Sequence, residues 1–189
     1  MVVMGRRAFP IKHLVAVAAA SVLLAPPLSA QEAPAQEMLE DLRAAPPEEA
    51  ERLAGQIRTV WSKSGSAAMD LLLRRGRDAI EAEEHAVAVE HLTALTDHAP
   101  DFAEGWATRA MAFFQQQDYG LALADLRRAL ALNPEHFGAL YGLGAIMEQI
   151  DRPRLAWRAY EEVLAIYPHH PQVGAAMERL EREVLGAEL

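Results

Sequence analysis

The chain has 189 residues, no cysteine, 18 Lys+Arg against 27 Asp+Glu and a formal net charge of −9. That length supports one ordinary domain or one short repeat array. The absence of cysteine excludes an internal disulfide, and the acidic balance disfavours nucleic acid and anionic membrane surfaces as ligands.

The first thirty residues differ from the rest. Arg6, Arg7 and Lys12 make a positive start, and Leu14 to Ala25 is an apolar run of 12 residues without a charge. Pro26-Pro27 breaks the run, and Leu28-Ser29-Ala30 offers a small residue for cleavage. This is the three-part pattern of a secretory signal peptide, cut after Ala30 or after Ala35. A membrane anchor is the competing reading, but a spanning helix needs roughly 20 apolar residues. Arg6-Arg7-Ala8-Phe9 partly matches a twin-arginine signal, although Pro10 displaces what should follow. No cysteine follows the run, so there is no site for a bacterial lipid anchor. The chain without residues 1–30 keeps 15 basic and 27 acidic groups, a charge of −12. It is expected to be periplasmic or secreted. Arg is used far more than Lys, which stands only at Lys12 and Lys63, in keeping with a bacterial source.

Residues 31–36 read as a flexible leader. Glu37 to Ala44 reads as a short helix with Leu39 and Leu42 inward, ended by Pro46-Pro47. Glu48 to Trp61 then places Leu53, Ile57, Val60 and Trp61 on one helical face. Residues 37–66 are expected to form a degenerate helix pair that caps the start of the array, with Ser64-Gly65-Ser66 as a break.

From about Met69 the chain repeats at 34 residues. Pro100, Pro134 and Pro168 keep that interval. So do Gly76, Ala110 and Gly144, and so do Ala88, Ala122 and Ala156. Self-similarity at this period marks stacked helix pairs rather than a closed globule around a cleft. The pairs are expected over residues 69–102, 103–136 and 137–170. A small residue on the first helix of a pair, opposite an alanine on the second, lets the two backbones approach. A bulky charge at Ala122 would overpack the crossing and bury an unpaired charge, at a cost of at least about 3 kcal/mol. The prolines cannot continue a helix and so punctuate the turns between pairs. Asp118 and Asp151 are candidate caps for the second helices. Residues 171–189 carry a final helix, with Val173, Met177, Leu180 and Val184 inward and Glu178, Glu181 and Arg182 outward, closing the stack.

The chemistry-bearing side chains form no known constellation. There is no nucleophile motif, no Gly-rich phosphate loop and no His-Glu metal signature. His85, His91 and His98 sit along one helix at spacings that suit solvation better than ligation, and His169-His170 reads as an exposed turn. Glu83-Glu84 and Glu161-Glu162 are sequence neighbours that point in different directions on a helix. No catalytic residue, metal or cofactor is expected.

In the second repeat Trp106, Ala110, Phe113, Tyr119, Ala122, Leu126, Ala129 and Pro134 follow one another in a pattern that closely resembles the tetratricopeptide repeat. The third matches it with Leu140, Gly144, Met147, Ala156, Tyr160 and Pro168, the first more loosely. The resemblance covers about 102 of the 189 residues. It implies an all-α, right-handed solenoid of three helix pairs with N-terminal and C-terminal capping helices. It also implies a concave groove lined by the first helix of each pair. The positions that grip an acidic chain terminus in one subclass of the family are here Leu73, Arg77, Ala107, Met111, Tyr141 and Ala145, so that clamp is absent. The resemblance therefore implies a non-catalytic protein–protein adaptor or scaffold in the bacterial envelope. Met111, Phe114 and Tyr141 are the expected anchors for a peptide or helix, and Arg74 and Arg77 orient it. Some of these residues could instead touch the capping helix. A second reading is a carrier or sensor of a small anionic ligand at the Arg74/Arg77 end. Self-association through an end of the array, near Trp61 or Trp157, is a further expectation.

Overall fold

The structure is a computed structural model that describes residues 32–186, with side chains over residues 35–182. The expected signal segment, the side chain of Val184 and residues 187–189 lie outside the described residues. Within them every regular element is an α-helix. The order is α1 (Glu32–Ala44), α2 (Pro47–Trp61), α3 (Ala67–Glu81), α4 (His85–His98), α5 (Ala103–Gln115), α6 (Tyr119–Leu132), α7 (Phe137–Gln149), α8 (Pro153–Ile166) and α9 (Val173–Gly186). α3 pairs with α4, α5 with α6 and α7 with α8, and each pair packs on the next. The all-α solenoid is thus as the repeat implies, and the prolines at 100, 134 and 168 fall in the turns between pairs.

The small residues sit where helices cross. A Cβ on Gly76 would lie 2.5 Å from Leu92 Cγ, and one on Gly144 would enter the ring of Tyr160. Ala88, Ala122 and Ala156 are each fully buried, and Ala110 nearly so. Each first helix closes in the same way. Glu83, Gln117 and Asp151, spaced at the repeat, hold φ of 59°, 64° and 54°. The next backbone N–H then reaches five residues back: Glu84 to Ala79 O at 2.8 Å, Asp118 to Phe113 O at 2.9 Å and Arg152 to Met147 O at 2.8 Å. This is a left-handed helix closure that glycine usually provides and that here falls on other residues. Asp118 makes no side-chain cap, and Arg152 rather than Asp151 stands at the start of α8, so the expected aspartate caps are corrected. Both aspartates belong to the closure of the preceding helix instead. At the far end, Val173, Ala176 and Leu180 of α9 are buried against the third pair, with Met177 partly covered.

The N-terminal segment departs furthest from expectation. α1 begins at Glu32 rather than Glu37, so most of the supposed leader is helical. Pro34 falls in its first turn, where no intrahelical N–H is needed. The α1–α2 hairpin does not cap the first pair. Leu39, Leu42, Leu53, Ala54 and Ile57 are buried in one cluster with Phe137, Leu140, Tyr160 and Tyr167 of the third pair and Val173 and Leu180 of α9. Tyr167 donates its hydroxyl to Glu51 at 2.7 Å, and Arg43 pairs with Glu135. Each fully buried Leu or Ile in this contact contributes about 1.5–3 kcal/mol. The amphipathic face of α2 was legible, but the surface it covers lies about a hundred residues away in sequence.

Candidate functional site

Because α2 starts beside Tyr167 and ends beside α3, it forms one wall of a groove whose other walls are α5 and α7. The groove holds about 710 Å³, within the range of ligand-binding clefts. Its floor is Ala107, Met111 and Phe114 from α5 with Tyr141 and Ala145 from α7. These residues recur one repeat apart, which is why side chains from neighbouring first helices share one surface. Met111 is 45% exposed although apolar. Phe114 lies 5.8 Å from Tyr119, and Tyr141 is held between Tyr160 at 5.8 Å and His170 at 5.0 Å. Burial holds the His170 imidazole below its ordinary pKa, against the nearby Glu51 carboxylate. The aromatic anchors are thus fixed before any partner arrives.

The α2 wall presents Gly55, Arg58, Thr59 and Ser62. Thr59 and Ser62 donate their hydroxyls to the carbonyls of Gly55 and Arg58, at 2.9 and 2.7 Å. Arg58 bonds Glu51 at 2.6 Å and lies 6.0 Å from the centre of the Phe137 ring.

The end of the groove is closed by a buried polar cluster. Arg77 donates to Ser62 Oγ at 2.9 Å and to Glu104. Glu104 Oε2 lies 2.9 Å from His136 Nε2. His136 Nδ1 accepts the N–H of Ala139 at 3.1 Å, capping α7, so Nε2 carries the ring proton and donates to Glu104. Trp61 stacks on the His136 ring at 4.8 Å. Burial alone raises the Glu104 pKa, but the hydrogen bond from His136 and the charge and hydrogen bond of Arg77 outweigh it and hold the carboxyl below its ordinary value.

Of the expected partner-contacting residues, Arg77, Met111, Phe114 and Tyr141 meet at this one groove. Arg74 is exposed and outside it, close enough to Asp70 to help hold that carboxyl down, after the hydrogen bonds from Ser64. Arg77 is engaged with Ser62 and Glu104, which leaves the Arg74/Arg77 anion reading less support. Leu73 is buried in the core of the first pair. Trp61, expected at an end-to-end contact, is instead partly buried against the third pair. Sequence reasoning missed the α2 wall, Arg58, Glu104 and His136. Histidine is not a usual helix cap, and nothing at a 32-residue spacing announces the Glu104–His136 bond. Among the described residues no group of three His, Asp or Glu side chains is placed to hold a metal ion.

A tetratricopeptide-repeat family model matches residues 103–136. A TPR repeat-containing protein of Rhizobium etli is 36% identical over 122 residues, 65% of this chain and 60% of that protein. Human serine/threonine-protein phosphatase 5 is 26% identical over 98 residues, 52% of this chain but 20% of the phosphatase. Among solved structures, the first TPR of Spaghetti (RPAP3) bound to the HSP90 peptide SRMEEVD has a TM-score of 0.61 at 22% identity, covering 64% of this chain and 95% of that one. MamA has a TM-score of 0.58 at 22% identity, covering 74% and 79%. These structures show the fold. The tetratricopeptide assignment is thus supported by a family model over the second helix pair and by architecture over most of the described chain.

Proposed function

We propose that this chain, built on tetratricopeptide repeats, is a non-catalytic interaction module of the bacterial cell envelope that binds an apolar partner segment in its groove. The observation that carries the reading is the preorganised apolar floor, in which Met111 stands exposed beside Phe114 and Tyr141. Burying such side chains is a main source of free energy in peptide recognition. A structural relative was solved with a bound HSP90 peptide, which supports peptide binding by this architecture. That peptide is acidic, whereas the floor here is Ala107, Met111, Tyr141 and Ala145, so the partner segment is apolar. The envelope location rests on the positive start, apolar run and small residues of positions 1–30.

A crosslinking pull-down from the cell envelope tests the reading. Wild type is compared with a Phe114→Ala/Tyr141→Ala variant whose helicity is confirmed by circular dichroism. Partners lost with the variant support the groove, with affinity near one micromolar, about −8 kcal/mol. An identical set captured by both baits overturns it. Fractionation with N-terminal sequencing of the native protein tests export: an uncut chain in the cytosol sinks the envelope reading.

A further inference from the structure

The second helices of the three pairs carry an exposed apolar row. Val87 is 39% exposed, Leu121 52% and Leu155 48%, and the three occupy the same repeat position. Their surroundings differ in sign. Around Val87 stand exposed Glu84 and Glu90; around Leu155 stand exposed Arg152, Arg154 and Arg158. Position for position, Glu84 corresponds to Arg152 and Glu90 to Arg158. At the centre of the row the positions that match Glu84 and Glu90 are the exposed Asp118, which would face its own copy at some cost, and the small Ala124, with Gly120 next to Leu121. A Cβ on Gly120 would meet nothing within 4 Å, so the packing of this chain does not require glycine there. Glycine is a poorer helix former than alanine and suits a place where another backbone comes close.

We infer that this face pairs with a second copy of the chain, back to back and antiparallel, about a two-fold axis through Leu121. In that arrangement Leu121 meets its own copy and Val87 meets Leu155 of the other chain. Glu84 and Glu90 then face Arg152 and Arg158, and the exchange occurs twice because a two-fold interface is self-complementary. A parallel arrangement would set glutamate on glutamate and arginine on arginine. The common repeat pitch keeps all three apolar contacts in register, which a second copy supplies without further assumption. None of these residues lines the groove, so both grooves of the pair stay open and the pair is bivalent toward a partner carrying two binding segments. The patch is smaller than the roughly 20–30 residues a side of a stable interface, so the pair forms only at about 10–100 micromolar.

Sedimentation equilibrium of the purified protein tests this, from about 5 to 500 micromolar in low salt. The expected result is a mass rising from the monomer toward twice its value. Leu121→Asp associates at least about tenfold more weakly. Glu90→Arg and Arg158→Glu each weaken association, and the two together in one chain restore it, since each altered residue then faces the other. Gly120→Ala raises the thermal midpoint yet weakens association, which separates loss of the contact from loss of the fold. A wild type that stays monomeric throughout overturns the inference and leaves the face to another partner. A Leu121→Asp protein that associates like wild type, or a double exchange no better than either single one, overturns it as well.

Discussion

Replacing Gly144 by alanine tests the packing rule on which the whole array rests. An ideal Cβ at that position falls 2.6 Å from Tyr160 Cδ1 and 2.9 Å from Cζ. The ring has little room to retreat: Tyr160 is 1% exposed, and its hydroxyl donates to Glu148 on α7 at 2.6 Å. Overpacking of this kind costs about 1–3 kcal/mol, and a rigid anchored ring puts the site at the upper end. Against that, alanine gains about 1 kcal/mol over glycine in a helix interior. The net expectation is a loss of about 2 kcal/mol, read as a lower urea midpoint at unchanged slope. Gly76→Ala meets Leu92 in the same way, 2.5 Å from its Cγ with the side chain fully buried, so a loss of similar size is expected there. The second repeat supplies the control, since it naturally combines Ala110 with Leu126. Gly144→Ala with Tyr160→Leu copies that pairing, and the double variant should be at least about 1 kcal/mol more stable than the sum of the single losses. A neutral or stabilising Gly144→Ala, or strictly additive losses, would refute the argument that helix approach at this crossing is set by the glycine and the residue facing it.

Three further outcomes follow from the structure. Glu104, Glu51 and Asp70 are held below their ordinary pKa values, so the unfolded chain takes up protons before the folded one. Stability should be full above the ordinary carboxylate range and fall as acid is added through it; His170, lowered by burial from 6.5, adds a loss that begins nearer neutrality. Urea midpoints that stay flat between about pH 7 and pH 3 would contradict this. Gln117→Gly should stabilise by up to about 1 kcal/mol in the same assay, because φ of 64° suits glycine and burdens glutamine; a destabilised Gln117→Gly would show that its side chain matters more than its backbone. Arg109 clamps Asp125 through bonds of 2.7 and 2.8 Å, reaches Thr96 at 2.9 Å and lies over Trp106. Arg109→Ala should cost about 3–5 kcal/mol by leaving the buried Asp125 unpaired, and a loss below about 1 kcal/mol would mean that the clamp contributes little.

The array was legible because its information is periodic. Pro100, Pro134 and Pro168 mark the turns between pairs, and the Gly76 and Gly144 positions mark the crossings, so three copies in phase identify an architecture that one copy would leave open. The groove floor followed from the family resemblance, which implies that first helices line the concave face, and Ala107 and Tyr141, or Met111 and Ala145, are repeats of one position there. Most of what escaped occurs once. The Arg109–Asp125 clamp and the Glu104–His136 bond depend on distance, and no residue pattern signals them; the left-handed closures escaped although they recur, because Glu83, Gln117 and Asp151 share no residue type that marks the angle. The docking of the N-terminal hairpin escaped for a related reason. Leu53, Ala54 and Ile57 declare that α2 has an apolar face, yet any apolar surface of the array could satisfy it.

That docking changes how the array should unfold. In an open solenoid each pair contacts only its neighbours, and stability is close to a sum of local terms. Here α2 runs from Tyr167, through Trp61 on His136 and Phe137, to Ser62 bonded to Arg77. The first and third pairs are therefore tied together by a segment that precedes both in the chain. Opening either end must break the tie, so the amides of α3 and α8 should exchange with hydrogen isotope at one common free energy. Trp61→Ala removes a half-buried stacking contact of about 0.5–1.5 kcal/mol beyond its area and should let the first pair open at a lower free energy than the third. If α3 already exchanges independently of α8 in the wild type, the hairpin is only draped on the third pair. The groove wall would then be separable from its floor, and a partner that needs both surfaces would have to hold the hairpin in place with its own binding free energy.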